Sequence, residues 1–517
     1  MSNVTRRPTI RQIVLVVAGI ALAATVLLVD SELHHFEHGG VDYGNRPAFA
    51  AAVAVLMAFW WITEAISIYK TACVPLVVFP ILGVFGSGFE QRVVAPTLEY
   101  LDAYIFLFLG GMGIGAAMQQ WGLHRRIALN ILLGIGTQPG RILAGMIVAT
   151  AFVSMWISNT ATTAMMLPIG MALIAQIERQ SGGERREFFG GALMLAIAYG
   201  ANVGGMGTKI GTGPNAIFCG FVSDDLPAHL QRDVSFLDFL TLGVPFMVVF
   251  LPVVWLTLFI SGRRDAPRGD IGRKVIQDQL RELGPISRPE KNVLAVFVVT
   301  ALLWIFSGLI TRSLSPTLSP LYDELFSIAK YKGKHFESSV AMLSVVVLLL
   351  LPSGRGGRTL SFGQLRVIPW KTLVLIGGGF CLARGIDATG LDDWMGGGLA
   401  FITSLDLMFQ FLGVCLFTVF VGAIASNVAT ITVMLFVLRS ATADGSGTET
   451  VVPLMAAATL AASCDFMLPA GTPPNAIVFG SGYLTIPRMA RTGFILDLTA
   501  AIILAFWGYF GITALLR

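Results

Sequence analysis

The sequence predicts an all-α polytopic membrane protein with about eleven transmembrane helices and two re-entrant hairpins that form an inverted repeat. The first observation behind this prediction is composition. Of the 517 residues, 55% are hydrophobic and only 13% are charged, whereas soluble domains carry about 25% charged residues. The 31 acidic and 35 basic side chains are too few to cover the surface of a soluble chain, so a soluble enzyme is not expected.

The second observation is a series of long apolar runs. A helix that crosses the hydrocarbon core needs about 20 mostly apolar residues, and this chain has continuous runs rather than the alternating segments of a membrane barrel. The first run is long for a signal peptide, so we interpret it as an uncleaved span. The predicted spans are 12–29, 47–62, 71–86, 103–120, 190–220, 239–261, 292–310, 338–352, 371–386, 451–480 and 493–515.

Two further apolar stretches, about 140–177 and 407–438, are each too long for one span. Polar residues interrupt both near the middle: Ser158-Asn159-Thr160 in the first and Ser426-Asn427 in the second. A polar turn inside an apolar stretch is tolerated in a membrane only where protein or a water-filled cavity surrounds it. We therefore predict that each stretch is a hairpin that enters the membrane and returns to the same side.

The distribution of loop charges supports this count. With the hairpins treated as re-entrant, basic residues collect on one side and acidic residues on the other, as the positive-inside rule requires. The N-terminus is then cytoplasmic, the C-terminus is outside, and loop 311–338 is balanced. The loops predicted inside are 119–143, 262–292, 353–371 and 481–492, and the acidic loops predicted outside are 30–46, 221–238 and 386–406.

The third observation is an internal repeat. Gly110-Gly111 and Ser158-Asn159 recur as Gly378-Gly379 and Ser426-Asn427, both 268 residues further on. Gly-Thr-x-Pro-Asn-Ala-Ile at 211–217 recurs at 471–477, 260 residues further on. An odd number of crossings separates the copies, so they point in opposite directions through the membrane. Inverted repeats with interrupted helices are typical of secondary transporters, and no P-loop pattern indicates ATP-driven transport.

The repeat also predicts the division of the chain. The segments are N-terminal scaffold helices at 1–90, a first repeat at 91–261, a cytoplasmic loop with linking helices at 262–370, and a second repeat at 371–517.

The interruptions carry the candidate chemistry. Ser, Thr and Asn side chains can donate to an anion and can also offer oxygen atoms to a small cation. A hairpin turn leaves free backbone amides at the start of its second arm, where an anion can bind. Glycine and proline in the repeated Gly-Thr-x-Pro-Asn motif should unwind the helix and expose carbonyl groups.

Six motifs together resemble the divalent anion:sodium symporter (DASS) family, and the resemblance covers nearly the whole chain. They are WWITEAI at 60–66, FLGGMGIGAAMQQWGLHRRIAL at 108–129, SNTATTAMMLPI at 158–169, GGMGTKIGTGPNAI at 204–217, SNVAT at 426–430 and SCDFMLPAGTPPNAIVFG at 463–480. The resemblance implies sodium-coupled transport of succinate, malate, fumarate, citrate or sulfate. It also implies a homodimer in which a transport domain moves against a scaffold by an elevator motion.

The resemblance further implies binding residues. For the substrate carboxylates these are Ser158, Asn159, Thr160, Ser426, Asn427, Thr472 and Pro473. One sodium site would use Ser154, Ser158, Asn159 and the backbone near Gly205. The other would use the backbone near Gly422, Ala425 and Gly471 together with Asn427.

Three residues depart from the family pattern. Val428 stands where a threonine is usual, and loss of a hydroxyl at an anion site could change affinity by about 1–3 kcal/mol. Lys209 lies in the first interruption, where a charge is costly and therefore a functional candidate. Its ammonium could replace a sodium ion, pair with the anion, or reach water along its apolar stem. Asp465 could be a coupling group, a partner for Lys209, or a carboxylate bonded to nearby amides.

The leading interpretation is a sodium-coupled transporter of C4-dicarboxylates in the plasma membrane. A sulfate or citrate transporter and a sodium-independent exchanger are alternatives within the class, and an anion channel is the alternative outside it. We expect no catalytic residues, no cofactor, no metal other than sodium and no nucleic-acid partner.

Overall fold

The computed structural model describes residues 9–516, except 30–31, 35, 39–40, 228, 268, 270–271, 327–331, 355, 392–393, 395–404, 424 and 441–447. Two parts of the chain considered above therefore lie outside the described residues. They are the N-terminal arginines, Arg6 and Arg7, and most of the predicted loop 386–406.

The described chain is almost entirely helical. The helices are α1 Ile10–Val29, α2 Arg46–Thr63, α3 Ile68–Thr71, α4 Val74–Leu82, α5 Ala95–Leu98, α6 Ala103–Gln120, α7 Leu123–Ile135, α8 Pro139–Ser154, α9 Asn159–Gln180, α10 Glu187–Gly205, α11 Gly213–Gly220, α12 Phe236–Gly262, α13 Arg273–Glu282, α14 Arg288–Ile305, α15 Ser307–Phe326, α16 Gly333–Leu350, α17 Trp370–Asp387, α18 Leu407–Gly422, α19 Asn427–Ser440, α20 Thr448–Ala461, α21 Pro473–Phe479, α22 Ile486–Phe506 and α23 Thr513–Leu516.

Short irregular elements complete the chain. Single turns of 3-10 helix lie at Glu32–His34, Glu99–Leu101 and Gln364–Val367, and π-helical turns lie at Glu90–Val94, Phe221–Asp225 and Trp507–Ile512. Two strands, β1 Glu37–His38 and β2 Val41–Asp42, pair antiparallel with Glu37 opposite Asp42.

Membrane-spanning character follows from length and hydropathy. Among the described residues, eight helices are long and apolar enough to cross a membrane, or nine if α14 and the start of α15 form one bent span. Other predicted spans form helices that are shorter, such as α4, or more polar, such as α17 with Lys371, Arg384 and Asp387. The predicted all-α, polytopic class is confirmed.

One part of the predicted topology is wrong. The region 311–338 was expected to be a loop, but helix continues to Phe326 after a bend of 64° near residue 306. The helix was not predicted because the polar residues in α15 interrupt the apolar pattern on which the predicted spans were based.

The interruptions fall where the sequence predicts them. The first hairpin has arms α8 and α9 with its tip at 155–158, and the second has arms α18 and α19 with its tip at 423–426. The predicted spans 190–220 and 451–480 are each broken, at 206–212 and at 462–472. We call these segments the first break and the second break.

Helix α10 is the central element of the packing, because nearly all of its residues are buried. It packs against both arms of the first hairpin, α12, and α21 from the second half, while α11 packs against α19 and α20. Small residues allow this close approach: a Cβ built on Gly204 would collide with the carbonyl of Ala151. The broken helix of each half therefore lies against elements of the other half.

Candidate substrate and cation site

The first tip and the first break are joined through Asn159. Ser154 Oγ donates to Asn159 Oδ1 at 2.7 Å, and a Cβ built on Gly205 would collide with the same oxygen. Ser158 caps α9 by accepting a hydrogen bond from the Ala161 amide at 3.4 Å. The structure thus brings together the four residues expected at the first sodium site.

The first break is held open by a side chain from the next helix. Asn215 Nδ2 donates to the carbonyl oxygens of Gly205 at 2.9 Å and Thr208 at 2.6 Å. Thr208 Oγ1 in turn donates to the carbonyl of Met155 in the tip at 2.5 Å. The bonds from Asn215 supply donors to carbonyl groups at the unwound end of the helix, and the bond from Thr208 ties the break to the hairpin tip.

The second break repeats this arrangement. Asn475 Nδ2 donates to the carbonyl oxygens of Asp465 at 3.1 Å and Leu468 at 3.0 Å. Each of these three residues lies 260 positions after its counterpart in the first break. The repeated motif is evident in the sequence, but no role was predicted for its asparagines, although their recurrence at one offset was the available signal.

The second tip makes fewer hydrogen bonds to its asparagine than the first tip does. Glycine at 422 occupies the place that Ser154 has in the first half, so no equivalent hydroxyl is available. Asn427 Oδ1 is buried and has no hydrogen-bond partner in the described part of the chain. A Cβ built on Gly422 would have its nearest neighbour, the carbonyl oxygen of Ala462, at 3.7 Å, so Gly422 lies beside the second break.

The two halves meet at their breaks. Asn202 Nδ2 in α10 donates to Thr472 Oγ1 at 3.2 Å and to the Asp465 carbonyl at 3.3 Å. In the opposite direction, a Cβ built on Gly213 would lie 2.8 Å from Val428 Cγ2. Val428 is therefore buried against the start of α11. Asn202 lies outside the repeated motif, so the sequence did not predict that it contacts the second half.

Exposure separates the predicted substrate residues into three groups. Thr160 and Pro473 are exposed, and Ser158, Asn159, Ser426 and Asn427 are half-buried, whereas Thr472 is buried. The hairpin tips and the first residue of α21 therefore present polar groups and backbone amides that a ligand can reach.

Asp465 is a buried carboxylate that forms no ion pair with any described residue. It is fully buried, and neither carboxylate oxygen has a hydrogen-bond partner among the described residues. Its Oδ2 lies against Gly471, where a Cβ would collide with the carboxylate. Nearby, Asp497 accepts the Phe466 amide through Oδ1 at 3.1 Å, while its Oδ2 has no hydrogen-bond partner within the described ranges. A buried carboxylate without donors is costly unless a bound cation or a proton neutralises it.

Lys209 has a different partner from the one considered in the sequence. Its Nζ lies 2.8 Å from Glu337 Oε2 in α16, and both side chains are at most 1% exposed. Glu337 also accepts the Phe236 amide at 2.8 Å and the Ser307 hydroxyl at 2.6 Å. The expectation that Asp465 pairs with Lys209 is therefore wrong. Glu337 was missed because 128 residues separate it from Lys209.

Ligand types around the site suit a hard monovalent cation. Amide, hydroxyl, carbonyl and carboxylate oxygens line the breaks, and hard cations prefer oxygen ligands. Within the described ranges, no cluster of three His, Cys, Asp or Glu side chains suited to a metal ion is found. All five cysteines are free thiols.

Comparisons with known proteins identify the family of the chain. The family model for the sodium:sulfate symporter transmembrane region matches residues 43–515. A Staphylococcus saprophyticus protein named sodium-dependent dicarboxylate transporter SdcS is 35% identical over 91% of this chain and 87% of its own. Its namesake from Staphylococcus aureus (strain NCTC 8325 / PS 47) is 34% identical over 91% and 86%.

A solved structure supports the fold. The crystal structure of the Alcanivorax borkumensis YdaH transporter superposes with a TM-score of 0.54, covering 98% of this chain and 99% of that one. At 14% sequence identity, this likeness concerns the fold alone.

Proposed function

Because the chain belongs to the sodium:sulfate symporter family, we propose that it is a secondary active transporter that carries C4-dicarboxylates together with sodium. The observation that carries the proposal is the 35% identity, over nearly the whole chain, to a protein named as a sodium-dependent dicarboxylate transporter. Succinate, malate and fumarate are the proposed substrates. They would be moved by an elevator motion of the broken helices and hairpins.

Substrate carboxylates would bind at the two tips. Ser158, Asn159 and Thr160 offer donors at the start of α9, and Ser426 and Asn427 offer donors at the start of α19. Thr472 and Pro473 would complete the site at the start of α21, as the family resemblance implies. Bound sodium would offset the charge of the dianion, so the tips need no free cationic side chain. Neutral hydrogen-bond donors are then sufficient to bind the carboxylates.

The first sodium site would be formed by Ser154, Ser158, Asn159 and the carbonyl of Gly205. The bond from Ser154 to Asn159 supports this proposal, since it fixes the amide oxygen beside Gly205. A sodium ion bound there would add the positive charge that the neutral tip lacks.

The second sodium site would combine backbone oxygens near Gly422, Ala425 and Gly471 with the side chain of Asn427. We propose that Asp465 adds a carboxylate to this site. Support comes from three buried oxygens that have no hydrogen-bond partner among the described residues. They are the two carboxylate oxygens of Asp465, which lies beside Gly471, and Oδ1 of Asn427. A cation would supply the counter-charge that these buried acceptors do not receive from the protein.

Sodium dependence is favoured over replacement of sodium by Lys209. The ammonium of Lys209 is engaged by Glu337 and fully buried with it, so its charge is already neutralised. Uptake by Lys209→Leu in sodium-free buffer tests this point. Equal sodium dependence in the variant and the wild type excludes the substitution hypothesis.

Sulfate is the second candidate substrate, because the family model is described by sulfate symport. Proteoliposome uptake of radiolabelled succinate, with and without an inward sodium gradient, distinguishes the possibilities. We expect saturable, sodium-dependent uptake that unlabelled malate and fumarate inhibit and sulfate does not. Inhibition by sulfate alone would reassign the substrate, and non-saturable flux without countertransport would indicate a channel.

The proposed setting is the plasma membrane, with the N-terminus cytoplasmic, the C-terminus outside and two copies in a dimer. We propose no cofactor and no catalytic step. Cross-linking in native membranes tests the dimer, and labelling of cysteines introduced near each terminus tests the orientation.

A further inference from the structure

A basic groove lies at one end of the molecule, away from the tips and breaks. It has a volume of about 980 Å³ and lies between the end of α12 and the start of α22. Four arginines line it, Arg185, Arg264, Arg488 and Arg491, and we call it the arginine groove. The transport proposal gives these residues no role.

The protein offsets only part of the positive charge of the arginine groove, because four arginines face two nearby acidic residues, Glu187 and Asp265. Glu187 is the acidic residue in its lining, and it contacts Arg185 at a distance of 3.8 Å. Asp265, close by, uses both carboxylate oxygens to accept the amides of Phe188 at 2.8 Å and Phe189 at 2.6 Å. In the described part of the chain, Arg264 and Arg491 make no ion pair.

Aromatic and backbone contacts hold three of the four arginines in place. Arg264 and Arg488 lie over the ring of Phe188 at 5.1 Å and 4.6 Å, and Arg185 lies over Tyr483 at 4.9 Å. Arg488 also donates to the carbonyl oxygens of residues 187 and 188 at 2.8 Å and 2.6 Å. The groove is thus organised without its ligand, which lowers the entropic cost of binding.

One wall of the groove is apolar and open. Ile260 in α12 and Ile495 in α22 both line it, and each is 50% exposed. The same helices expose Leu256 and Ile502 further from the groove. A free anion would use only the guanidinium groups, whereas a phospholipid would use the guanidinium groups for its phosphate and the apolar wall for its acyl chains.

We propose that the arginine groove binds the headgroup of an anionic phospholipid. Its loops belong to 262–292 and 481–492, which the charge distribution predicts to be cytoplasmic, so the lipid would belong to the inner leaflet. Basic pockets between helices on this side are suited to anionic headgroups. Arginine also binds phosphate oxygens through paired donors.

The test measures lipid binding rather than transport, so its outcome is independent of the proposed substrate. Full-length protein in detergent is titrated with phosphatidylglycerol or phosphatidylcholine, and bound lipid is counted by native mass spectrometry. The groove variant is Arg264→Gln with Arg491→Gln. The control is Arg273→Gln with Arg281→Gln, which removes two exposed charges from α13.

We expect the wild type and the control to retain phosphatidylglycerol in preference to phosphatidylcholine. The groove variant should lose roughly thirtyfold in affinity, because each arginine contributes about 1 kcal/mol to binding an anionic surface and thirtyfold corresponds to about 2 kcal/mol. Equal retention by the groove variant would overturn the proposal. Thermal unfolding and gel filtration confirm that the variant is folded.

A second arm separates lipid from free anion. Inorganic phosphate and glycerol 3-phosphate are added at millimolar concentration to protein that carries phosphatidylglycerol. Retention of the lipid supports the proposal, since the acyl chains contribute to binding. Displacement of the lipid by either soluble anion would show a phosphate site instead and overturn the lipid assignment.

Discussion

In the first half of the chain, Ser154 donates a hydrogen bond to Asn159. In the second half Gly422 stands at the equivalent place, and no described residue donates to Asn427 Oδ1. The charged side chains of the two breaks differ in a similar way, since one has a partner and the other does not. Lys209 in the first break is neutralised by Glu337, but Asp465 in the second break has no partner within the described chain. The same repeat thus gives one break whose charged side chain is paired and one whose acidic side chain has no partner among the described residues.

This contrast shows that an inverted repeat need not give two equivalent sites. The asparagines that hold the breaks, Asn215 and Asn475, keep the same bonds in both halves. The residues around them have diverged in charge and in hydrogen-bonding capacity. Four substitutions test how far this difference extends.

The largest effect is expected from Lys209→Met, which leaves the Glu337 carboxylate buried without its counter-ion. Breaking a buried pair by removing one partner costs about 3–5 kcal/mol. Thermal unfolding in detergent should show a strong loss of stability. The double variant Lys209→Met with Glu337→Leu should recover much of it, and Lys274→Met on the exposed face of α13 is the control. A double variant as unstable as the sum of the single variants would contradict this account.

The next effect concerns Asp465→Asn, which keeps the shape of the side chain and removes its charge. Loss of an interaction with a charged group costs about 1.5–3 kcal/mol, so the half-saturating sodium concentration for uptake should rise by about tenfold or more. Asp497→Asn is the matched control, because Asp497 is buried nearby but one of its oxygens already accepts the Phe466 amide. Equal shifts in both variants would show a general effect of buried charge instead.

A smaller loss is expected from Ser154→Ala, which removes the donor to Asn159 Oδ1 and makes the first tip resemble the second. Removing one partner of a buried hydrogen bond costs about 1–3 kcal/mol. Sodium should then protect the variant less against thermal unfolding. Thr150→Ala, which removes a buried hydroxyl bonded within α8, controls for the loss of a hydroxyl. An unchanged sodium response in Ser154→Ala would separate this residue from cation binding.

The smallest effect is a gain from the reverse exchange, Gly422→Ser. The open space around Gly422 admits a side chain, and the new hydroxyl can donate to Asn427 Oδ1. A hydrogen bond of this kind contributes about 0.5–1.5 kcal/mol, so the midpoint of thermal unfolding in sodium-free buffer should rise. Gly422→Ala provides the control without a donor, and an equal rise in that variant would assign the gain to helix propensity.

Most of the architecture was predictable because hydrophobic length and repeated motifs are local signals. The apolar stretches around 158 and 426 predicted both hairpins, and the Gly-Thr-x-Pro-Asn motif predicted both breaks. The helix from Ser307 to Phe326 was not predicted, since its polar residues resemble those of a loop.

The site was only partly predictable. The grouping of Ser154, Asn159 and Gly205 followed from the family resemblance, and the structure brings them together. The partner of Lys209 and the bond from Asn202 to Thr472 depend on how α10 and α16 pack, and nothing local in the sequence encodes those distances. The burial of Val428 against Gly213 likewise depends on the contact between the two halves.

The Lys209–Glu337 pair has a consequence for the electrical behaviour of transport. Lys209 belongs to the first break and Glu337 to α16, so an elevator motion of the break either carries both charges together or separates them. Moving one elementary charge across the membrane potential involves about 2.3 kcal/mol per 100 mV. A pair that stays together moves no net charge, whereas a pair that separates makes the motion sensitive to voltage. Current recorded in the absence of substrate would distinguish these two modes.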